Sequence, residues 1–245
     1  MNDRGVCLIV GGSRGIGKAV AIDAARAGYR IVLTYVGQHG RAQQVVTQIQ
    51  GSGGAARAVQ CDASCQKDVA ALFALAAEEG PMSLMVFAGG VTGAASTLAD
   101  ASADTIARVI DVNLLGALLS AQAAVRAMAV SRGGQGGAII FISSRAAAYG
   151  AAGEFVWYAA SKGGIDSLAI GLSKEVASEG IRVNTVSPGP IDTEMHRPGR
   201  LDEGAQRAPM KRAGTPKEVA AAVLFLASDL ASYTTGANLS VAGGL

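Results

Sequence analysis

The stretch Val6-Cys7-Leu8-Ile9-Val10-Gly11-Gly12-Ser13-Arg14-Gly15-Ile16-Gly17 decides the fold. Val6 to Val10 is a short apolar run with β-branched residues, and the glycine turn follows at once. Beyond it, the Ala-rich stretch Lys18 to Ala27 has helical character, so the order is strand, turn, helix. Gly28 stops that helix. A second strand is predicted at Arg30 to Tyr35, and a helix at Arg41 to Gln50 ended by Gly51, Gly53 and Gly54.

The alternation continues outward. Ala56 to Cys61 predicts a third strand, Gln66 to Glu79 a helix, and Leu84 to Ala88 a fourth strand ending in Gly89-Gly90. Helices are expected from about Ala103 to Asn113 and from Leu114 to Ser131, then a strand at Ala138 to Ser143. The last third reads as a helix from about Tyr158 to Glu179, a strand at Ile181 to Val186, a helix at Pro216 to Ala227 and a strand at Asn238 to Val241. Such alternation requires right-handed βαβ crossovers, and hence a mostly parallel sheet of about seven strands buried under helices on both faces. The fold class is doubly wound α/β. No repeat, linker or composition shift divides the chain, so residues 1–245 are expected to form one domain. The charged stretch from Glu194 to Thr215 is predicted to be irregular, and a region at about 190–215 is the candidate lid over a site.

The composition agrees. Of the 245 residues 50% are hydrophobic and only 4% aromatic, with 33 Gly, so small side chains carry much of the packing. A net charge of +2 without a basic block excludes a nucleic-acid surface. Arg197, Arg200, Lys211 and Arg212 are the nearest approach to a basic cluster, read either as a solvated loop or as recognition of an anionic substrate group. Cys7, Cys61 and Cys65 match no metal or thiol-redox spacing, and His39 and His196 are isolated, so no metal site is expected. Reduced thiols and the absence of an apolar N-terminal segment predict a cytoplasmic protein without a membrane span.

The glycine turn carries the first piece of chemistry. After a first strand, small residues let backbone approach a pyrophosphate, and the next helix offers free N–H groups and the positive end of its dipole. Gly11, Ser13, Arg14, Gly15, Ile16 and Gly17 supply that turn, with the spacing G-x-x-x-G-x-G. An acid ending the second strand would bind a ribose 2′-hydroxyl and repel a 2′-phosphate. Tyr35 stands there instead, and Arg14 offers a guanidinium, so NADP(H) is the expected cofactor, with NAD(H) possible. Asp62, ending the third strand, either accepts from an adenine amino group or caps the next helix.

The second piece is Tyr158-Ala159-Ala160-Ser161-Lys162. Four residues apart on a helix, Tyr158 and Lys162 share a face, and the ammonium is expected to stabilise the phenolate. Ser144 ends the fifth strand, where an open parallel sheet binds ligands, with Ser143 as its competitor. Asn113, at a break between helices, either holds a water for a proton relay or simply interrupts the helix.

Gly11 to Gly17, Asp62, Ala88-Gly89, Asn113, Ser143-Ser144, Tyr158 to Lys162, Asn184, Pro188-Gly189 and Gly243-Gly244 occur in an order that resembles the short-chain dehydrogenase/reductases over nearly the whole chain. The resemblance implies a Rossmann fold and a tetrad of Asn113, Ser144, Tyr158 and Lys162, with Lys162 also on the nicotinamide ribose. It implies that Ala88, Gly89, Pro188, Gly189, Ile191 and Thr193 contact cofactor, and that the long helices build a homotetramer. The stretch Gly153 to Asp166 is similar to a glucose 1-dehydrogenase-like bacterial branch. Val10, Val86, Phe87 and Ala242 depart from the usual pattern. The Ser144 to Tyr158 loop is one residue longer than in ketoacyl reductases, and places Glu154, Phe155 and Trp157 as suspected substrate contacts.

The expected activity is reversible hydride transfer between NADP(H) and a carbonyl/alcohol pair on a small molecule. Alternatives are an NAD-linked sugar dehydrogenase, a 3-oxoacyl carrier-protein reductase, which Glu179 disfavours by charge, and a dinucleotide-binding protein without catalysis.

Overall fold

The computed structural model describes residues 3–195 and 199–245; His196, Arg197 and Pro198 lie outside the described residues. In chain order the elements are β1 (Val6–Val10), α1 (Gly15–Arg26), β2 (Arg30–Tyr35), α2 (His39–Gly51), β3 (Ala56–Gln60), α3 (Gln66–Glu78), β4 (Met82–Phe87) and α4 (Ala103–Ile110). They continue with α5 (Gly116–Met128), β5 (Gly137–Ile142), α6 (Ala146–Tyr149), α7 (Val156–Glu175), β6 (Ile181–Pro188), α8 (Arg200–Arg207), α9 (Pro216–Ala227) and β7 (Asn238–Val241). The seven strands make one sheet in the order β3-β2-β1-β4-β5-β6-β7. Every pairing is parallel.

That order reverses direction between β1 and β4. The chain winds outward from β1 to β3, then returns to β4 and winds the other way, which opens a crevice at the carboxyl ends of the central strands. The strands are apolar on both sides because both faces are covered. Cys7, Ile9, Leu33 and Ile140 pack under α1, α2 and α9, while Leu8, Met85, Ile139 and Phe141 pack under α3, α5 and α7. A smaller cluster of Val109, Ala146, Phe155 and Trp157 supports the segment between β5 and α7.

Element ends shift by a few residues throughout, and three differences from expectation bear on the site. The long helix begins at Val156 rather than Tyr158 and ends at Glu175, followed by a 3₁₀ turn over Ala177–Glu179. Glu179 accepts from the Ser131 amide, so its charge serves a local bond. Between α4 and α5 the chain makes a π-helical turn at Asp111–Leu115 instead of breaking. Third, the stretch expected to be irregular contains α8, started by Gly199 at φ +80° and held where Gly204 packs on Pro190.

The continuous helical stretch 103–128 is long and apolar enough to cross a membrane, with a hydropathy of 1.3. Its Ala117, Ala121 and Ala124 side is instead buried against the sheet-covering core.

Candidate active site

Every glycine-turn residue expected to meet a ligand lines a single cleft of about 820 Å³ at the carboxyl ends of the strands. Thr34, which the sequence reading passed over, holds the turn in place. Its hydroxyl accepts from the Gly11 amide at 2.9 Å, and its carbonyl accepts from the Gly12 amide at 3.1 Å. Gly11 has φ +82°, and a Cβ there would lie 2.9 Å from Gly89, so the turns after β1 and β4 touch. At the start of α1, Arg14 makes no side-chain cap and the first turn has no acid. The helix N–H groups and dipole are thus left for an anion, and the crowded turn leaves room for one only because it lacks side chains. The residues present fit a dinucleotide pyrophosphate.

At the adenosine end, Tyr35 and Asp62 both line the cleft. The Tyr35 hydroxyl shares a 2.8 Å hydrogen bond with His39 Nδ1. Asp62 Oδ1 accepts from the Ser64 amide and hydroxyl, and Oδ2 from Arg108 at 3.2 Å, contacts that hold its carboxyl below the ordinary range, the Ser64 hydroxyl bond foremost. The capping alternative fails, because the N-cap of α3 is Cys65. Asp62 closes the turn that precedes the helix. Arg41, on α2, reaches across the mouth to an ion pair with Glu194, while the Arg14 side chain is exposed.

At the other end, Ser144, Tyr158 and Lys162 line the same cleft. Ser143 lines the cleft too, and the two serines differ in burial. Ser143 is 2% exposed and donates to the Lys162 carbonyl at 3.3 Å, whereas Ser144 is partly exposed beside the Tyr158 hydroxyl. Lys162 donates to the Ile142 carbonyl at 2.7 Å, and its Nζ lies 5.7 Å from the Tyr158 ring centre.

The electrostatics correct one expectation. Tyr158 is not depressed; burial raises it above the ordinary phenol range, against the Ser144 hydroxyl and the more distant Arg200. Lys162 is itself pushed down to about 8 by burial, with Asp166 opposing. An unfolded chain would keep this ammonium near 10.5, so the folded protein holds a desolvated charge below pH 8, and stability from this group rises between pH 8 and 10.5. Relative to Lys162→Met, the wild-type protein should therefore gain on the order of 2 kcal/mol between pH 7 and pH 10. Urea unfolding of both proteins measures it, and a constant difference across that range refutes it.

Asn113 does not line the cleft. It is fully buried, and its amide donates to the Val91 carbonyl and the Ser161 hydroxyl while its oxygen accepts from the Val91 amide. Both of its N–H donors are engaged, so the side chain clamps the segment after β4 to α7 rather than offering donors to a relay water. Trp157 does the same from the other side, donating to the Thr92 carbonyl at 2.8 Å. Phe155 and Trp157 are buried behind the site, and Glu154 pairs with Arg200 at 2.8 Å, so none of the three suspected contacts lines the cleft.

Ala88, Gly89, Pro188, Gly189, Ile191 and Thr193 all line it. Of the basic cluster, Arg212 pairs with Glu218, Lys211 donates to the Gln206 carbonyl, and Arg197 lies outside the described residues. Arg200 lines the cleft; Arg145, Tyr149 and Arg207, which sequence reasoning missed, line it as well. Among the described residues no group of His, Cys, Asp and Glu is placed to hold a metal.

Residues 10–245 match a family model described as enoyl-(acyl carrier protein) reductase. The chain is 44% identical over 244 residues to a protein named uncharacterized oxidoreductase YgfF of Escherichia coli K12, covering 98% of this chain and 99% of that one. It is 36% identical to glucose 1-dehydrogenase 2 of Bacillus subtilis, covering 97% and 93%. Among solved structures, a short-chain dehydrogenase of Burkholderia cenocepacia in complex with NADP superposes with a TM-score of 0.92 at 30% identity, covering 99% and 98%.

Proposed function

Since the chain belongs to the short-chain dehydrogenase/reductase family, and is therefore an oxidoreductase, we propose that Ser144, Tyr158 and Lys162 carry proton transfer to and from a carbonyl/alcohol substrate. The observation that carries this reading is the meeting of the Ser144 and Tyr158 side chains, with Lys162 beneath them, in the same cleft as the glycine turn. In reduction the two hydroxyls hold the carbonyl oxygen. Tyr158 then gives that oxygen its proton, and the oxygen keeps the electron pair of the former π bond. The bound dinucleotide supplies the hydride to the carbonyl carbon. Lys162, fixed on the Ile142 carbonyl, keeps donors free for the nicotinamide ribose and holds positive charge beneath the phenol.

The raised Tyr158 sets the pH behaviour. Its hydroxyl stays protonated through the neutral range, which favours reduction there, whereas oxidation needs the phenolate and speeds up as pH rises.

Gly11, Ser13, Gly15, Ile16 and Gly17 would hold the pyrophosphate; Asp62 would meet the adenine; Ala88, Gly89, Pro188, Gly189, Ile191 and Thr193 would flank the nicotinamide half. We assign preference to NADP(H). No carboxylate ends β2, and Arg14 stands exposed at the turn with no carboxylate partner among the described residues. A charge-assisted guanidinium–phosphate pair is worth about 1.5–3 kcal/mol, so kcat/KM for NADPH should exceed that for NADH by more than about tenfold. Arg14→Gln should erase most of that ratio through the KM for NADPH alone. An equal ratio in wild-type protein would point to an NAD-linked enzyme. Leu115 and Leu118 on and beside α5, and Ile170 on α7, are exposed apolar residues that support assembly of a homotetramer through these helices, which sedimentation of the wild-type protein measures.

A further inference from the structure

The substrate end of the cleft carries charge that the hydride-transfer chemistry does not use. On α8, Arg200, Gly204 and Arg207 follow the i, i+4, i+7 spacing of one helix face, and all three line the cleft. Their environments differ. Arg200 is neutralised by Glu154 at 2.8 Å and lies 4.5 Å over the Phe155 ring, so it builds the wall. Arg207 has no carboxylate within ion-pair distance among the described residues.

The fold brings a second guanidinium to the same end. Arg145 follows Ser144 directly, donates to the Ser240 hydroxyl at 3.3 Å on β7, and has a buried Nε without a hydrogen-bond partner among the described residues. The segment that follows α8, Ala208 to Met210, packs on Gly243 and Gly244, and Leu245 lines the cleft next to it. The carboxyl end of α8 therefore lies over the C-terminal turn, on the β6–β7 side of the cleft where Arg145 also sits. The acids of the cleft lie elsewhere: Asp62 is held by Arg108 at the adenosine end, and Glu194 by Arg41 at the mouth. The remaining substrate-side lining includes the apolar or aromatic groups of Tyr149, Met195 and Leu245. A cation left unpaired beside apolar lining selects for a counter-charge on the ligand.

We propose that the substrate is a small organic anion, a carbonyl or hydroxy compound bearing a carboxylate or phosphate, whose anionic group is received by Arg207, with Arg145 lining the same cleft. The carbonyl in this statement rests on the oxidoreductase reading above; the anion site does not. Arg207 is here a specificity residue that touches the remote end of the substrate, so it acts on binding and not on the hydride step.

The test keeps the two ideas apart. Calorimetric titration of the NADPH-saturated protein with butyrate, a carboxylate with no carbonyl to reduce, should show saturable binding. That binding should weaken at least about tenfold in Arg207→Gln, be partly kept in Arg207→Lys, and stay unchanged in Lys211→Gln, whose ammonium is held outside the cleft on the Gln206 carbonyl. In turnover, short keto acids should be reduced with a kcat/KM at least about tenfold above that of their methyl esters, and Arg207→Gln should remove the gap through KM with kcat little changed. Acids and esters used equally, or butyrate binding indifferent to Arg207, overturns the anion site. Arg207-dependent butyrate binding without NADPH oxidation for any carbonyl supports the anion site and overturns the redox reading instead.

Discussion

Tyr158→Phe should lower kcat for carbonyl reduction by about 10³-fold, roughly 4 kcal/mol of transition-state stabilisation, while NADPH affinity stays within about twofold. The substitution removes one oxygen and leaves the ring, which packs with the small cluster behind the site and lies over Lys162. The loss is therefore chemical. Without the hydroxyl the carbonyl oxygen keeps only the Ser144 hydroxyl, which can hold it but, as an aliphatic alcohol, is a far weaker acid than a phenol and does not supply the proton. Stopped-flow and steady-state turnover at saturating NADPH measure the drop, and fluorescence titration measures the affinity. A variant that turns over at near wild-type rate would remove Tyr158 from the proton path and with it the proposed mechanism.

Gly17→Ala should cost cofactor affinity and stability together, with kcat at saturation largely kept. A Cβ at Gly17 would lie 2.2 Å from the Gly11 carbonyl oxygen and 2.9 Å from its carbon, both backbone atoms that cannot swing aside. The first turn of α1 must then lift from the glycine turn, which moves the N–H groups that would face the pyrophosphate. Overpacking of this kind costs about 1–3 kcal/mol, so the Kd for NADPH should rise at least about tenfold and the melting temperature should fall. Gly51→Ala is the matched control: it lies in α2, with open space around its Cβ, and should be neutral or slightly stabilising. An NADPH affinity unchanged in Gly17→Ala would mean that the turn does not hold the cofactor.

Much of this site is legible from residue order. The glycine turn, the strand-end Ser144 and the Tyr158–Lys162 spacing are local patterns, and each lands in the cleft because strand ends and helix faces follow from short-range periodicity. Asn113 is different. Its type and position suggest an active amide, but its partners Val91 and Ser161 lie 22 and 48 residues away, and only packing reveals that both donors are engaged. The loop residues Glu154, Phe155 and Trp157 mislead for the same reason: whether an aromatic side chain faces a ligand or the core depends on the elements behind it. The helix α8 was hidden by its polarity and by Gly204, which weakens the helical pattern while permitting the contact with Pro190 that holds the helix in place.

By itself the sequence determined the strand–helix alternation, the doubly wound class, the glycine turn after β1 and the Tyr158–Lys162 spacing on one helix face, because these depend on neighbours a few positions away. Only the tertiary structure decided that burial raises Tyr158 and lowers Lys162, that Thr34 props the glycine turn, and that Arg207 reaches the cleft with no carboxylate in ion-pair distance among the described residues while Arg200 and Arg212 are paired. Desolvation and charge pairing are set by what distant segments bring together, and no spacing along the chain records that distance in space.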